Sequence, residues 1–281
     1  VRPWGLVALL AATATASYLC RVNVSVAGAL MMQELALDQI RMGRIFSAFL
    51  LGYALCQVPA GMLADRLGAR RVLGIAALSW FAATALMAVA PAAAALPMLL
   101  GARFLLGLGE APTFPAAARA VSLHIPAAAQ GRANGLVIAA IGLGSAIAPP
   151  LVTSVMVRFG WRAALVASAL PALAVAVVWL AVRRMPPAVV PAASGEAKGG
   201  NGPLATRPFV FLTASYTLQG YVGYIFVFWF YLYLVDVRKF DLLRGALYAS
   251  LPWLLSIVSI PLGGVVSDAL VKRLGVARGR R

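Results

Sequence analysis

The chain has 281 residues, of which 62% are hydrophobic and only 11% charged, far below the roughly 25% charge of a soluble domain. Its 24 Lys+Arg against 8 Asp+Glu give a formal charge of +16, but the basic residues sit in short loops between long apolar runs. That placement reads as the topology signal of a multi-pass membrane protein and argues against a nucleic-acid partner.

A spanning helix needs about 20 mostly apolar residues. Eight stretches qualify: 6–32, 43–64, 72–91, 95–118, 132–156, 162–182, 208–235 and 244–267. The first is too long for the core of a signal peptide and reads as a retained helix. It carries "YLCRVNVSVA" at 18–27, with Arg21 in its middle and Tyr18 one turn earlier. A central arginine costs about 2.5–3.5 kcal/mol on insertion scales, so something must offset it. The sequon at Asn23 lies at membrane depth and is discounted.

The second stretch holds Tyr53 and Gln57, four residues apart, and ends in "GMLADRLGARR" at 61–71. The fourth holds "GARFLLGLGEAPTFP" at 101–115, where Arg103, Gly107 and Glu110 share one helical face. Arg103 to Glu110 covers about 10 Å of helix. Pro112 and Pro115 should bend the chain there. In the fifth, the small residues of "AAIGLGSAIAPP" (139–150) permit close helix approach. "RRMPPAVVPAASGEAKGGNGPLATR" follows the sixth and reads as a flexible linker. The seventh has Gln219, Tyr221 and Tyr224 at mid-depth, and its aromatic run "YIFVFWFYLYLV" (224–235) reads as lipid-facing.

After the eighth stretch, "GVVSDALVKRLG" (264–275) repeats the order of "GMLADRLGARR", and Asp268 lies 203 residues after Asp65. Six helices precede the linker, so the repeating unit is a six-helix half. Residues 1–182 form that half, 183–207 a cytoplasmic linker, and 208–281 the start of a second half whose remaining four helices are missing. The chain therefore reads as a fragment or truncation. With the N-terminus in the cytoplasm, 15 of the 24 basic residues fall inside and 7 outside, as the positive-inside rule requires. Arg21 and Arg103 remain, both within the bilayer.

Both arginines should lie slightly outside the midplane, with Glu110 below them. A charge pair that only holds the bundle together is one reading. The other is a polar cavity, because ionisable groups inside a membrane mark pathways. Arginine's planar fork matches a carboxylate, so the implied ligand is a small organic anion. Glu110 is the one buried group able to exchange a proton. Cys20 and Cys56 are expected as free thiols, and His124 as a solvated loop residue. No metal-ligand cluster and no nucleophile–base set is visible, so neither a cofactor, a metal nor an enzymatic activity is expected.

"GMLADRLGARR" resembles the loop signature of the major facilitator superfamily, matched at Gly61, Asp65, Arg66, Gly68, Arg70 and Arg71. "YLCRVNVSVA" with "RFLLGLGEAPTFPAAARAV" resembles its anion:cation symporter branch, which includes bacterial sugar-acid carriers and vesicular glutamate and sialic-acid carriers. The resemblance implies an all-α membrane protein of twelve helices in two pseudo-symmetric halves, eight of them present here, working by alternating access. It implies that Arg21, Tyr18 and Tyr53 contact the anion and that Glu110 serves proton coupling. The loop from Gly61 to Arg71 would latch the cytoplasmic side. Cys20 stands where many bacterial members carry Asp, and Ile141 where sugar-acid carriers tend to have glutamine. The second departure points to a less hydroxylated carboxylate.

The combined expectation is a monomeric, multi-pass carrier of the cell inner (plasma) membrane that imports a small organic anion with protons. Arg21, Tyr18, Tyr53, Gln57, Arg103, Tyr221 and Tyr224 would bind the anion, with Glu110 coupling the proton and Asp268 joining the gating loop. A proton-independent facilitator or antiporter, and a transporter-like membrane sensor, stay open as alternatives.

Overall fold

The computed structural model describes residues 2–182, 184–189 and 206–274. Among them every regular element is a helix: α1 (Pro3–Glu34), α2 (Gln39–Leu67), α3 (Ala69–Ala88), α4 (Ala95–Glu110), α5 (Thr113–His124), α6 (Ala127–Ala181), α7 (Arg207–Phe228), the single turn α8 (Phe230–Leu232) and α9 (Leu242–Leu274). Within a bilayer each backbone N–H and C=O must find a partner inside its own helix, which is why these apolar runs coil throughout. Most of the linker at 183–207 lies outside the described residues, as do the side chains of Asp268, Lys272 and Arg273.

Local chemistry sets the boundaries. Pro3 opens α1, where its missing N–H costs nothing. Asp38 caps α2 by accepting the Arg41 N–H at 2.7 Å. Gly68, at φ 77°, separates α2 from α3 in a conformation that a side chain would strain. Ala111 and Pro112 break the fourth stretch into α4 and α5, at the bend that Pro112 leads one to expect.

Seven of the described helical segments are long and apolar enough to cross a membrane. One of them, α6, has 55 residues, about 80 Å at the usual rise, against a hydrocarbon core of about 30 Å. Gly160 (φ 81°, ψ 167°) kinks it. The stretches expected at 132–156 and 162–182 lie on the two sides of that kink.

The aromatic run differs from its sequence reading. Ile225, Phe226 and Tyr233 are exposed, but Val227, Phe228, Tyr231, Leu232 and Leu234 are buried. Phe228 stacks on Phe46 at 4.9 Å, and the Tyr231 hydroxyl bonds Thr153 at 3.2 Å. A run that is apolar all round still turns one face inward, and composition alone does not say which.

α1 packs along α6, α2 along α4, α3 between α4 and α6, and α9 along the first part of α6. Polar bonds pin α1 in register. Trp179 donates to the Thr13 hydroxyl at 2.9 Å, the Asn23 amide donates to Ser168 at 3.0 Å, and Thr15 donates to the Ala140 carbonyl at 3.2 Å. These anchors hold the turns above and below Arg21.

The two ends of the molecule are unlike. Where α1 ends and α2 begins, α2 meets α7 and α8 through Phe46, Phe228 and Trp229. At the opposite end a cavity of about 660 Å³ opens between α6 and α9, with Trp4, Arg132, Leu136 and Trp253 in its wall.

Candidate functional site

Arg21 is 3% exposed, and Arg103 and Glu110 are fully buried. Glu110 Oε2 accepts from Arg21 Nε at 2.9 Å and from Nη2 at 2.5 Å. Arg21 Nη1 donates to the Tyr18 hydroxyl at 3.1 Å. These contacts use three of arginine's five N–H groups. Aromatic rings complete the shell: the guanidinium carbon lies 4.4 Å from the Tyr18 ring, 4.9 Å from Phe49 and 5.0 Å from Tyr53, all within cation–π range.

The pair is not sealed in protein. Arg21 and Tyr18 line a cavity of about 170 Å³ together with Ile141, Tyr224, Val227 and Trp253. Gly220 and Gly223 let α7 present bare backbone to it. Ile141 and Trp253 also belong to the wall of the larger cavity, so the two spaces adjoin. Arg21 thus stands between a buried carboxylate and a space that leads toward one face of the molecule.

Arg103 occupies a different position. Its Nη1 and Nη2 both donate to the main-chain carbonyl of Arg21 at 3.3 Å. Its guanidinium carbon lies 5.0 Å from the Phe49 ring and 5.7 Å from Phe228. It fixes the backbone that carries Arg21 and does not line the cavity. Glu110 Oε1 is buried with no hydrogen-bond partner among the described residues.

Of the other residues singled out in the sequence, Tyr224 lines the cavity and stacks on Phe228 at 5.5 Å. Tyr53 stacks on Phe49 at 5.9 Å. Gln57 lies one turn further along α2, half-buried and outside the cavity wall. Tyr221 is 69% exposed and turned from the site. Both cysteines are free thiols. Among the described residues no group of three or more His, Cys, Asp or Glu could hold a metal ion.

The sequence pattern of the Major Facilitator Superfamily matches residues 9–279. The chain belongs to this superfamily. It is 33% identical to the probable sulfoacetate transporter SauU of Cupriavidus necator, over 94% of this chain and 65% of that protein. It is 30% identical to the probable galactarate/D-glucarate transporter GudP of Bacillus subtilis, over 96% of this chain and 66% of that one. The chain therefore spans just under two thirds of the length of these relatives. Among solved structures, it superposes on an inward-facing, unoccupied bacterial homolog of the human lysosomal transporter Spinster with a TM-score of 0.83 and 19% identity, covering 97% of this chain and 64% of that one. Superposition on a D-xylose–proton symporter gives 0.67 and 14% identity, over 95% of this chain and 69% of that one. These likenesses establish the shared superfamily fold.

Within that fold, the loop motif is held by partners in the same half. Asp65 forms an ion pair with Arg119 of α5, and Arg70 Nη2 donates to the Leu180 carbonyl at 3.4 Å. Arg66 and Arg71 are exposed, and Gly61 has open space where a side chain would stand. The sequence reading did not find Arg119 or Phe49. Arg119 joins a motif 54 residues away, and a phenylalanine in an apolar helix gives no signal. Glu34 was likewise missed. It ion-pairs with Arg162 and accepts the Trp161 indole N–H at 2.6 Å, clasping the end of α1 to α6.

Proposed function

We propose that this superfamily member carries a small organic anion across the inner membrane by alternating access, coupled to protons, with its N-terminus in the cytoplasm. One observation supports this above the rest. A single guanidinium, Arg21, lines the cavity and also binds Glu110. An incoming carboxylate and the Glu110 carboxylate compete for the same N–H groups. When Glu110 takes a proton, its hold on Arg21 weakens and the guanidinium can engage the anion with a bidentate grip. When the anion leaves, Glu110 loses its proton and the internal pair re-forms. Proton and substrate then move together because both act on one cation. Tyr18 steadies the guanidinium, and the Tyr224 ring and Trp253 flank the bound anion. The named cargoes of the relatives, sulfoacetate and galactarate/D-glucarate, are compact organic anions, which fits the cavity's size. Loop residues Gly61 to Arg71, with Asp268, would gate the cytoplasmic side.

The test is uptake into proteoliposomes containing the full-length protein. Arg21→Ala should abolish anion uptake. Glu110→Gln should abolish accumulation driven by a pH gradient while leaving counterflow exchange. Undiminished proton-driven accumulation by the glutamine variant would remove Glu110 from the coupling step. Uptake indifferent to an imposed pH gradient in the unaltered protein would favour the facilitator reading.

A further inference from the structure

Among the described buried residues, the charged side chains are Arg21, Arg103 and Glu110. That is two cations and one anion, a net charge of +1. Arg103 stays charged, since a guanidinium does not give up its proton in a protein, and its two terminal nitrogens donate to the Arg21 carbonyl. The two guanidinium carbons lie 4.9 and 5.0 Å from one Phe49 ring, so the second charge is felt at the cavity even though Arg103 does not line it. A buried charge without a counter-charge is costly. Among the described residues the site is short of one negative charge.

We infer that the Arg21 site accommodates two negative charges in total, so that a monoanion is taken with Glu110 ionised and a dianion with Glu110 protonated. This rests on the carrier reading above and narrows it: displacement of Glu110 from Arg21 applies to dianions, while a monoanion takes the two Arg21 N–H groups that Glu110 and Tyr18 leave free. A monoanion brings the buried sum to zero with Glu110 unchanged. A dianion overshoots by one, and Glu110 is the group positioned to correct it: its Oε2 is on Arg21 and its Oε1 has no partner. The other groups that face Glu110 are poor substitutes. They are Tyr18 and Cys20 of α1 and Tyr224 of α7, with Arg103 on its own helix and Tyr53 of α2 beside Arg21. A phenol or a thiol cannot play this part, because neither carries a negative charge that a proton could cancel near pH 7. From α3, Thr84 meets Cys20 and does not ionise. The rule makes proton coupling a property of the cargo: dianions enter with one more proton than monoanions of the same shape.

Glycerate and tartronate provide the test, because they differ in one group, a hydroxymethyl in the first and a carboxylate in the second. Both are fully ionised above about pH 6, so any pH dependence belongs to the protein. Binding to the purified full-length protein is followed by calorimetry in two buffers of different ionisation heat, which counts protons. Tartronate should bind with uptake of about one proton, and its affinity should fall about tenfold per pH unit. Glycerate should show no uptake and a flat profile. Glu110→Gln should flatten the tartronate profile. Equal proton counts for the two acids overturn the rule, as does a pH slope that survives in Glu110→Gln. So does failure of both to bind at tens of millimolar, since a site lacking one negative charge should hold a small hydroxy acid. If both bind equally well to Arg21→Ala, the carrier reading itself fails. If binding needs Arg21 but the proton counts match, only the charge rule fails.

Discussion

Arg21 was legible from sequence because a charge in an apolar run is rare, and the same holds for Arg103 and Glu110. What each one touches was not legible. Arg21 and Glu110 are 89 residues apart and meet at 2.5 Å, while Arg103, equally prominent in sequence, binds a main-chain carbonyl behind the cavity. Periodicity places a residue on a face of its own helix, but which neighbour that face meets depends on how the helices assemble. Tyr221 and Tyr224 show the limit: they lie three residues apart at similar depth, and only the second lines the cavity. Tyr18 offers a prediction at this scale. Its hydroxyl accepts from Arg21 Nη1, and a bond to a charged group contributes about 1.5–3 kcal/mol. Tyr18→Phe keeps the ring under the guanidinium and removes only the acceptor. The KM for anion uptake should rise about tenfold or more, and the unfolding midpoint of the detergent-solubilised protein should fall, because a buried N–H loses its acceptor. A KM unchanged within error would show that the phenol does not orient Arg21.

Helix crossings, not helix lengths, place the site. α2 and α4 touch backbone to backbone. A side-chain carbon on Gly107 would lie 2.2 Å from the Phe49 carbonyl oxygen and 2.8 Å from the Tyr53 nitrogen, and one on Gly52 would lie 2.3 Å from the Phe104 carbonyl oxygen. The same crossing carries Phe49, Tyr53, Arg103 and Glu110. α1 and α6 cross in the same way, with Gly144 against the Thr15 carbonyl and the Tyr18 Cβ. The small-residue stretch containing Gly144 was readable as a packing face. Gly107 was readable only as a member of the Arg103–Glu110 face, and its contact with α2 was not. Gly107→Ala should separate the two helices and destabilise the protein by about 1–3 kcal/mol, seen as a lower midpoint in thermal unfolding with loss of anion binding. Gly61→Ala, also within α2, is the control, because its added carbon meets nothing within 4 Å and should leave that midpoint unchanged or slightly raised. A Gly107→Ala protein as stable as the parent would mean that the crossing has slack and that the site's precision comes from elsewhere.

The whole molecule carries an asymmetry that neither hydropathy nor the repeated loop motif could reveal. The two adjoining cavities at Arg21 lie toward the end where α1 begins; on the other side α2 closes against the end of α7, and the cavity of about 190 Å³ beyond that closure, beside Met32 and Gln39, does not include Arg21 in its wall. Phe46 is central to that closure. It stacks on Phe228 at 4.9 Å and meets Trp229 edge-on at 5.3 Å, while fully buried Met42 lies one turn away. Under the proposed alternating-access cycle these contacts must break to present Arg21 to the opposite side, so their strength would set how rarely that state is visited. Aromatic pairs contribute about 0.5–1.5 kcal/mol beyond their buried area. Phe46→Ala should therefore raise the population of the state open at this end by about two- to tenfold. The measurement is the rate at which an impermeant maleimide labels Met42→Cys, in a background without Cys20 and Cys56, because that thiol becomes reachable only when the end opens. General loosening would also raise labelling, so a second thiol at Leu136, in the wall of the open cavity, is followed in parallel. A switch raises the Met42 rate and leaves the Leu136 rate equal or lower. A rise at both positions would assign Phe46 to bundle stability, and no rise at Met42 would show that the aromatic stack does not hold the closed end.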